Sequence, residues 1–565
     1  MCKPLSKAKH FFLNHLPELL FLLSLAASVI TTYYVSKNIF DSDASSEMVL
    51  GNYLANTPSF IVSKDWFYSS EIRILHTPLV YSALFHFFSD WSFVRFCGGM
   101  ILQMILVISY GYVLLQSGFG RKEFFLGSSL LLLPVSVTHG HIVLYHSHYV
   151  PNLALSFLLI GLTLEYAAPV NWKRRRPWIL LTVLLLFSFV GGLAGVRQLL
   201  MTHAPLLVCI AALYFLEDSR QNHPEKSSFL LPGHASLFLV SLGSAFFSFL
   251  GLLVNTKVLS RIFSFEHQTE YRVGLLNPSE LSDIAYGFFH QFGFREGHSM
   301  LSLMGILSIA GIFAGCYCVF LTLQHFFRHT QAHDIRKSIV QIFSLCVAAI
   351  NIFIFIISGK YYPYHYVLYL VVLFPWAILL LTTDLIHLPR NLHLLQARKL
   401  LAVLSILILF ANGFINVLYF NGNPEYDQLY EGLAIQEKDK VSTMKDVSAF
   451  LLENGYDIGY ATYWNNNILT EITDGRLRMV AVDLLPQLGD GCIIYYNWLC
   501  FFSFRETDAE KPFMLIENKE LEAFSITEAY PHCSLVYSDA RYSVFDVLNE
   551  EAVKEVLNTD AWALQ

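Results

Sequence analysis

FDSDASSEMVLGNYLANTPSFIVSKDWFYSSEIRILHTPLVYSALFHFFSDWSFV, residues 40–94, is a hydrophilic stretch between two apolar runs, Leu16 to Tyr34 before it and Phe96 to Leu115 after it. A run of about 20 apolar residues can cross a hydrocarbon core of about 30 Å as a helix. The stretch between them therefore begins and ends at a membrane surface. Its first charges, Asp41 and Asp43, follow the end of the first run closely. Carboxylates placed there face water but lie beside lipid, which suits chemistry on a molecule with an oily tail and a polar head.

The rest of the chain agrees with a membrane setting. Of its 565 residues, 55% are hydrophobic and 14% charged, against roughly 25% charged in soluble domains. Apolar windows recur over the first three quarters of the sequence, and in lipid such windows must be helices to satisfy their backbone groups. The formal net charge of −7 gives no reason to expect nucleic acid as a partner. The opening run is too long for a signal-peptide core and lacks a clean small-x-small cleavage site, so it reads as a retained first helix.

The pattern predicts a polytopic α-helical membrane protein of about eleven transmembrane helices. The spans are 16–36, 94–116, 122–138, 149–167, 177–193, 199–216, 234–254, 301–322, 338–358, 365–382 and 400–419. Basic residues sort by side as the positive-inside rule requires. Lys3, Lys7 and Lys9, Arg121 with Lys122, Lys173 through Arg176, Arg220 with Lys226, Arg328 with Arg336 and Lys337, and Arg390 with Arg398 and Lys399 share one side. The short opposite connections hold only Arg197 and Lys360. The expected topology is a multi-pass protein of the cytoplasmic membrane, with its N-terminus in the cytoplasm. Residues 38–94, the 255–300 loop and the tail then lie outside.

From Asn421 the composition turns soluble. Lys440–Asn454 has helical periodicity closed by Asn454-Gly455. Strand-like runs follow at Ile458–Tyr463, Leu477–Asp483, Pro512–Glu517 and Tyr542–Val547. The expected organisation is a transmembrane domain over 1–420, carrying the loop 38–94, and a C-terminal extracytoplasmic α/β domain over 421–565. Cys492, Cys500 and Cys533 fall on the outer side, where disulfides form, and Cys492–Cys500 is the expected pair.

Transfer of a group from a lipid phosphate to a hydroxyl needs a base for that hydroxyl and can use a metal on the leaving phosphate; carboxylates serve both needs. Asp41-Ser42-Asp43 fits that demand, although acids at the start of a helix are also commonly just solvated. After the acidic pair come an amphipathic stretch (Glu47–Leu54), Asp65-Trp66, Glu71, and His76-Thr77-Pro78-Leu79-Val80-Tyr81. This order resembles the first outer loop of the GT-C glycosyltransferases, in particular the protein O-mannosyltransferase and aminoarabinose-transferase branch. That branch runs Asp-Glu, an amphipathic helix, a Trp and a basic-Pro-Pro-Leu segment. Two departures stand out: the pair is Asp-x-Asp, and Thr77 replaces the usual lysine beside proline.

The resemblance implies a transferase using a polyprenyl-phosphate-linked sugar donor, working at the lipid bilayer on a cell-envelope glycan, lipid or protein acceptor. Asp41 or Asp43 takes the place of the essential loop acid, with Mg or Mn as a possible divalent cation held by the same pair. Trp66 and His76 become substrate contacts. Arg197, Lys360 and Arg73 are the cations for the donor phosphate, since a bare charge beside lipid needs an anionic partner and Arg bonds phosphate bidentately.

The second outer loop, Thr138–Asn152, carries His139, His141, His146 and His148. Interfacial histidines can bind a metal or simply anchor among headgroups. His146, His148, Asn152 and, beside Lys360, Tyr362 are further candidate substrate contacts. Glu266, His267, Glu270 and Arg272 are candidates without a positional argument. In the tail, Tyr460-Ala461-Thr462-Tyr463-Trp464-Asn465-Asn466-Asn467 offers rings and amides suited to a sugar, or to a strand end and turn. The alternative class is a transporter or lipid flippase, which places ionisable groups within spans or in paired broken helices; neither pattern is present here. A polysaccharide polymerase or ligase would place its large outer loop in mid-chain.

Overall fold

A computed structural model describes residues 15–69, 71–72, 74–166, 175–218, 232–265, 280–295, 298–328, 335–358, 392–421, 438–485 and 491–563. In chain order the helices are α1 (Leu16–Asn38), α2 (Ser42–Asn56), α3 (Thr77–Phe85), α4 (Trp91–Ser117), α5 (Arg121–Leu132), α6 (Val150–Glu165), α7 (Arg175–Leu193) and α8 (Ala204–Asp218). They continue with α9 (Pro232–Lys257), α10 (Glu280–His290), α11 (Leu303–Arg328), α12 (Ile335–Ser358), α13 (Leu392–Phe420), α14 (Lys438–Glu453), α15 (Tyr463–Ile472) and α16 (Glu550–Ala563). The strands are β1 (Phe67–Tyr68), β2 (Ser264–Phe265), β3 (Ile458–Thr462), β4 (Arg478–Leu485), β5 (Cys492–Tyr495), β6 (Pro512–Glu517), β7 (Cys533–Ser538) and β8 (Tyr542–Val547).

The chain divides into two compact units. One, the helical unit, takes Met1–Thr32, Gly99–Asn255 and Glu270–Gly432. The other, the sheet unit, takes Tyr33–Gly98, Thr256–Thr269 and Leu433–Gln565, so the first loop folds with the tail.

Among the described residues, seven helices are long and apolar enough to cross a membrane, or eight if the bent pair His139–Tyr145 and Val150–Glu165 counts as one span. The described residues therefore do not confirm the expected count of about eleven. The span at 365–382 lies outside the described residues. The span at 122–138 breaks because Pro134 forces Leu133 into extended backbone (φ −105°, ψ 135°), so α5 ends at Leu132. The span at 199–216 begins as a wide-turned π segment, Leu199–His203.

Within the helical unit, α7 and α9 cross with almost no side chain between them: a Cβ on Gly192 would lie 1.8 Å from the Ser248 carbonyl oxygen. Ser188 and Ser244 hydrogen-bond at the same crossing, 2.7 Å apart. Small residues and hydroxyls hold helices together where lipid removes the hydrophobic drive between them.

In the sheet unit the strands run in the order β5-β4-β3-β6-β8-β7. β3 lies parallel to β4 and β6, and the outer pairings are antiparallel. Alternation along the strands builds two cores. Ile458, Tyr460, Met514, Ile516, Phe545 and Val547 face Val553 and Leu557 of α16. Ala461, Phe513, Leu515, Tyr542 and Val544 face Met444, Val447 and Leu451 of α14 and Ile468 and Leu469 of α15, and Phe40 of the loop packs against this second core. The four expected strands and the helix before them are present within a few residues. β5 and β7 are additional.

Cys492 and Cys500 are not joined in a disulfide, which corrects the expected pair. Cys500 is committed elsewhere: its Sγ donates to the Tyr496 carbonyl at 3.3 Å, and its own carbonyl accepts from Phe67 N–H at 2.9 Å.

Candidate active site

Asp41 is the N-cap of α2. It has extended backbone (φ −136°, ψ 138°), and its Oδ1 accepts from the N–H groups of Asp43 at 3.0 Å and Ala44 at 3.2 Å. This is the side-chain cap that orphan helix N–H groups call for, and both acids gain from the positive end of the helix dipole. Asp43 accepts at Oδ1 a hydrogen bond from the hydroxyl of Tyr463, on the first turn of α15. Across residues 41–50 only Asp41 and Asp43 keep partial exposure, and every other side chain is buried.

α2 is bound to the tail along one face. Ser42 Oγ donates to the Tyr463 carbonyl. One turn later Ser45 Oγ donates to Glu471 Oε2 at 2.5 Å. Glu471 in turn pairs with Arg95 at 3.0 Å, deep inside the unit, and the Arg95 guanidinium lies 5.4 Å from the centre of the Phe40 ring. Burial pushes the Glu471 carboxyl above its ordinary value, while Arg95 and the hydrogen bonds from Ser45 and Arg95 pull it back down. The opposite side of α2 meets α3 through Gly51, where a Cβ would lie 2.8 Å from Tyr81 Cβ.

His76 caps the entry to α3 and is 7% exposed. Its Nδ1 lies 2.8 Å from Glu47 Oε2, and Thr77 Oγ1 donates to the same oxygen at 2.6 Å. Trp66 is 1% exposed, edge-on to Phe501 with centroids 4.5 Å apart. Around it Asp65 accepts from Ser503 N–H at 2.8 Å and Ser503 Oγ at 2.5 Å. Trp66 and His76 thus lie inside the packing of the loop. Arg73, Lys360, Tyr362, Glu266, His267, Glu270 and Arg272 lie outside the described residues.

In the helical unit, His139–Tyr145 forms a π segment that turns by 80° into α6. Ser147 takes a left-handed φ of 59° at that corner. Irregular backbone of this kind is tolerated at membrane depth only where protein or a cavity covers it. The turn brings the His141 and His146 rings to 4.2 Å. The His148 ring lies 4.2 Å from that of Tyr149, tilted by 48°, and the Arg197 guanidinium stands 5.3 Å over the same Tyr149 ring. Asn152 is buried, and its carbonyl accepts from Gln198 Nε2 at 2.8 Å. His148, Asn152 and Arg197 therefore share one neighbourhood.

Sequence reasoning did not single out Glu47, Arg95, Glu471, Tyr463 as a partner of Asp43, or Arg295. Arg295 is buried, with Nη1 3.2 Å from Asn412 Oδ1 and Nη2 3.2 Å from Asn416 Oδ1. Arg95 and Glu47 carried a visible signal, each being a charge in or beside an apolar or amphipathic helix.

No family model matches the sequence, and no curated protein matches it either. Among solved structures, ArnT from Cupriavidus metallidurans in the apo state aligns with 94% of this chain and 98% of its own, at TM-score 0.51 and 10% identity. The chain has the GT-C fold. A structure of ArnT bound to undecaprenyl phosphate aligns with 93% of this chain and 97% of its own, at 0.49 and 12%. The Archaeoglobus fulgidus oligosaccharyltransferase in the apo form aligns with 93% of this chain and 74% of its own, at 0.42 and 9%. The GT-C fold accounts for the overall plan, a set of apolar helices followed by a C-terminal domain. Residue roles rest on the site geometry.

Proposed function

We propose that this chain is an integral-membrane glycosyltransferase that moves a sugar from a polyprenyl-phosphate carrier to an acceptor hydroxyl on the outer face of the cytoplasmic membrane. The observation that carries the proposal is the pair Asp41 and Asp43, the two half-exposed groups in an otherwise buried helix start that follows a membrane-length helix. The GT-C fold supports it. Asp41 or Asp43 takes the acceptor proton. The acceptor oxygen attacks the anomeric carbon, the bond from that carbon to the phosphate oxygen breaks, and the polyprenyl phosphate leaves with the electron pair. Such a displacement inverts the anomeric centre.

In the helical unit Arg197, beside His148 and Tyr149, is the proposed contact for a donor phosphate. The donor set of the loop fits a hard divalent cation: two carboxylates within one helix start are the oxygen ligands Mg or Mn takes. When bound, such an ion would offset negative charge on the leaving phosphate. Cell-envelope glycans, lipids and proteins are the acceptor classes, and a hexosyl or pentosyl sugar is the cargo.

The test uses the full-length protein in lipid vesicles with a panel of undecaprenyl-phosphate-linked sugars and native envelope extract as the acceptor source. Release of undecaprenyl phosphate above protein-free vesicles is expected. No release from any donor would contradict the proposal, and accumulation of intact donor in the vesicle interior would favour a flippase.

A further inference from the structure

The C-terminal domain has no assigned role, yet it touches the loop at its acids. We propose that this domain is part of the catalytic apparatus, and that Tyr463 is a positioning residue that sets the Asp43 carboxylate. The inference rests on the reading of the loop acids given under the proposed function.

The two acids are held by different means. Asp41 is fixed locally, by the two N–H groups of its own helix. Asp43 is held by a hydroxyl from 420 residues further along the chain. The Tyr463 side chain is itself anchored. It is 6% exposed, and its ring lies 5.4 Å from Trp464 and 5.6 Å from Tyr496. Its carbonyl is tied back to Ser42 Oγ. These contacts fix the Tyr463 ring, and through its hydroxyl they hold the Asp43 carboxylate.

The placement matters because a base has to lie within about 2.6–3.2 Å of the oxygen whose proton it takes, and a misplacement of about 1 Å can cost about 100-fold in rate. Tyr463 acts through Asp43.

α2 and α15 are also joined by the Ser45–Glu471 bond, which ties the same two helices but not the acid. That bond separates positioning from simple adhesion. The experiment compares Tyr463→Phe, Ser45→Ala and Asp43→Asn with wild type in the full-length protein, reading kcat and donor KM with undecaprenyl-phosphate-linked sugars, together with thermal unfolding. Tyr463→Phe is expected to lower kcat about 10- to 100-fold with donor KM within about twofold of wild type. Ser45→Ala is expected to keep kcat within about threefold. In the Asp43→Asn background Tyr463→Phe should cause no further loss of turnover, the mark of a shared role.

Unchanged kcat in Tyr463→Phe, or equal losses in Tyr463→Phe and Ser45→Ala, would overturn the positioning role. An inactive Asp43→Asn beside a fully active Tyr463→Phe would overturn this inference and leave the proposed function standing. A fully active Asp43→Asn would overturn this inference and leave Asp41 as the base of the proposed function, whereas a wild-type protein that turns over no donor would remove the reading beneath it and this inference with it.

Discussion

Arg95 and Glu471 form an ion pair at 3.0 Å with side chains only 2% and 1% exposed. Arg95 stands in the first turns of α4, a helix long enough to cross the membrane, and Glu471 near the end of α15. Removing one member of a buried pair leaves an uncompensated charge and costs about 3–5 kcal/mol. Arg95→Ala should therefore lower the stability of the full-length protein by that order, measured by thermal or denaturant unfolding in detergent. A variant within about 1 kcal/mol of wild type would contradict the burial of the pair.

The same pair sets a pH dependence. Burial holds the Glu471 carboxyl above its ordinary value in the folded protein, against the opposing pull of Arg95. The unfolded chain then loses its proton first as pH rises. The stabilising contribution is complete below the ordinary carboxylate range and is lost as pH climbs through the raised folded value. Glu471→Gln cannot ionise, so its stability–pH curve should be flatter than wild type in that window. Parallel curves would contradict the account.

Gly51 makes the approach of α2 to α3 possible, since a Cβ there would sit 2.8 Å from Tyr81 Cβ and 3.2 Å from the Pro78 carbonyl oxygen. The nearest atoms belong to the base of a buried side chain and to backbone, so they cannot swing aside. Gly51→Ala should destabilise by about 1–3 kcal/mol, the usual range for overpacking, and should lower turnover by shifting the helix that carries both acids. Unchanged stability would show that the helices have room to part.

Trp66 was expected to meet substrate, but it is enclosed by Phe501 and the Asp65–Ser503 bonds. Trp66→Ala should cost about 3–5 kcal/mol through the cavity it leaves, and Trp66→Phe less, with donor KM unchanged in the variant that folds. A raised donor KM at normal stability would return Trp66 to the substrate contacts.

Much of this plan was legible in the sequence because it rests on period and composition. The long apolar helices announce themselves, and so do the central strands, which read as short continuous apolar runs because both sheet faces are covered. β5, Cys492–Tyr495, is too short to show a period. β7, Cys533–Ser538, lies at the sheet edge with Leu535 and Val536 exposed, so burial imposes no alternation on it. The break after α5 was missed: the apolar window 122–138 runs through Pro134, and hydropathy alone does not register the proline.

The union of loop and tail left no local trace. Besides the Arg95–Glu471 pair and the packing of Phe40 and Trp66, it is made by single hydroxyls, Ser42, Ser45, Ser503 and Tyr463, meeting carbonyls and carboxylates hundreds of residues away. The acids could be picked out from their place at the end of an apolar run. What holds them in place could not.

The most direct test of the central claim is donor turnover by Asp41→Asn and Asp43→Asn, made separately in the full-length protein and assayed in vesicles with undecaprenyl-phosphate-linked sugars. The account predicts that at least one loses turnover by about 100-fold or more, the scale of general-base catalysis, while expression and folding stay normal. Full turnover in both variants would contradict it.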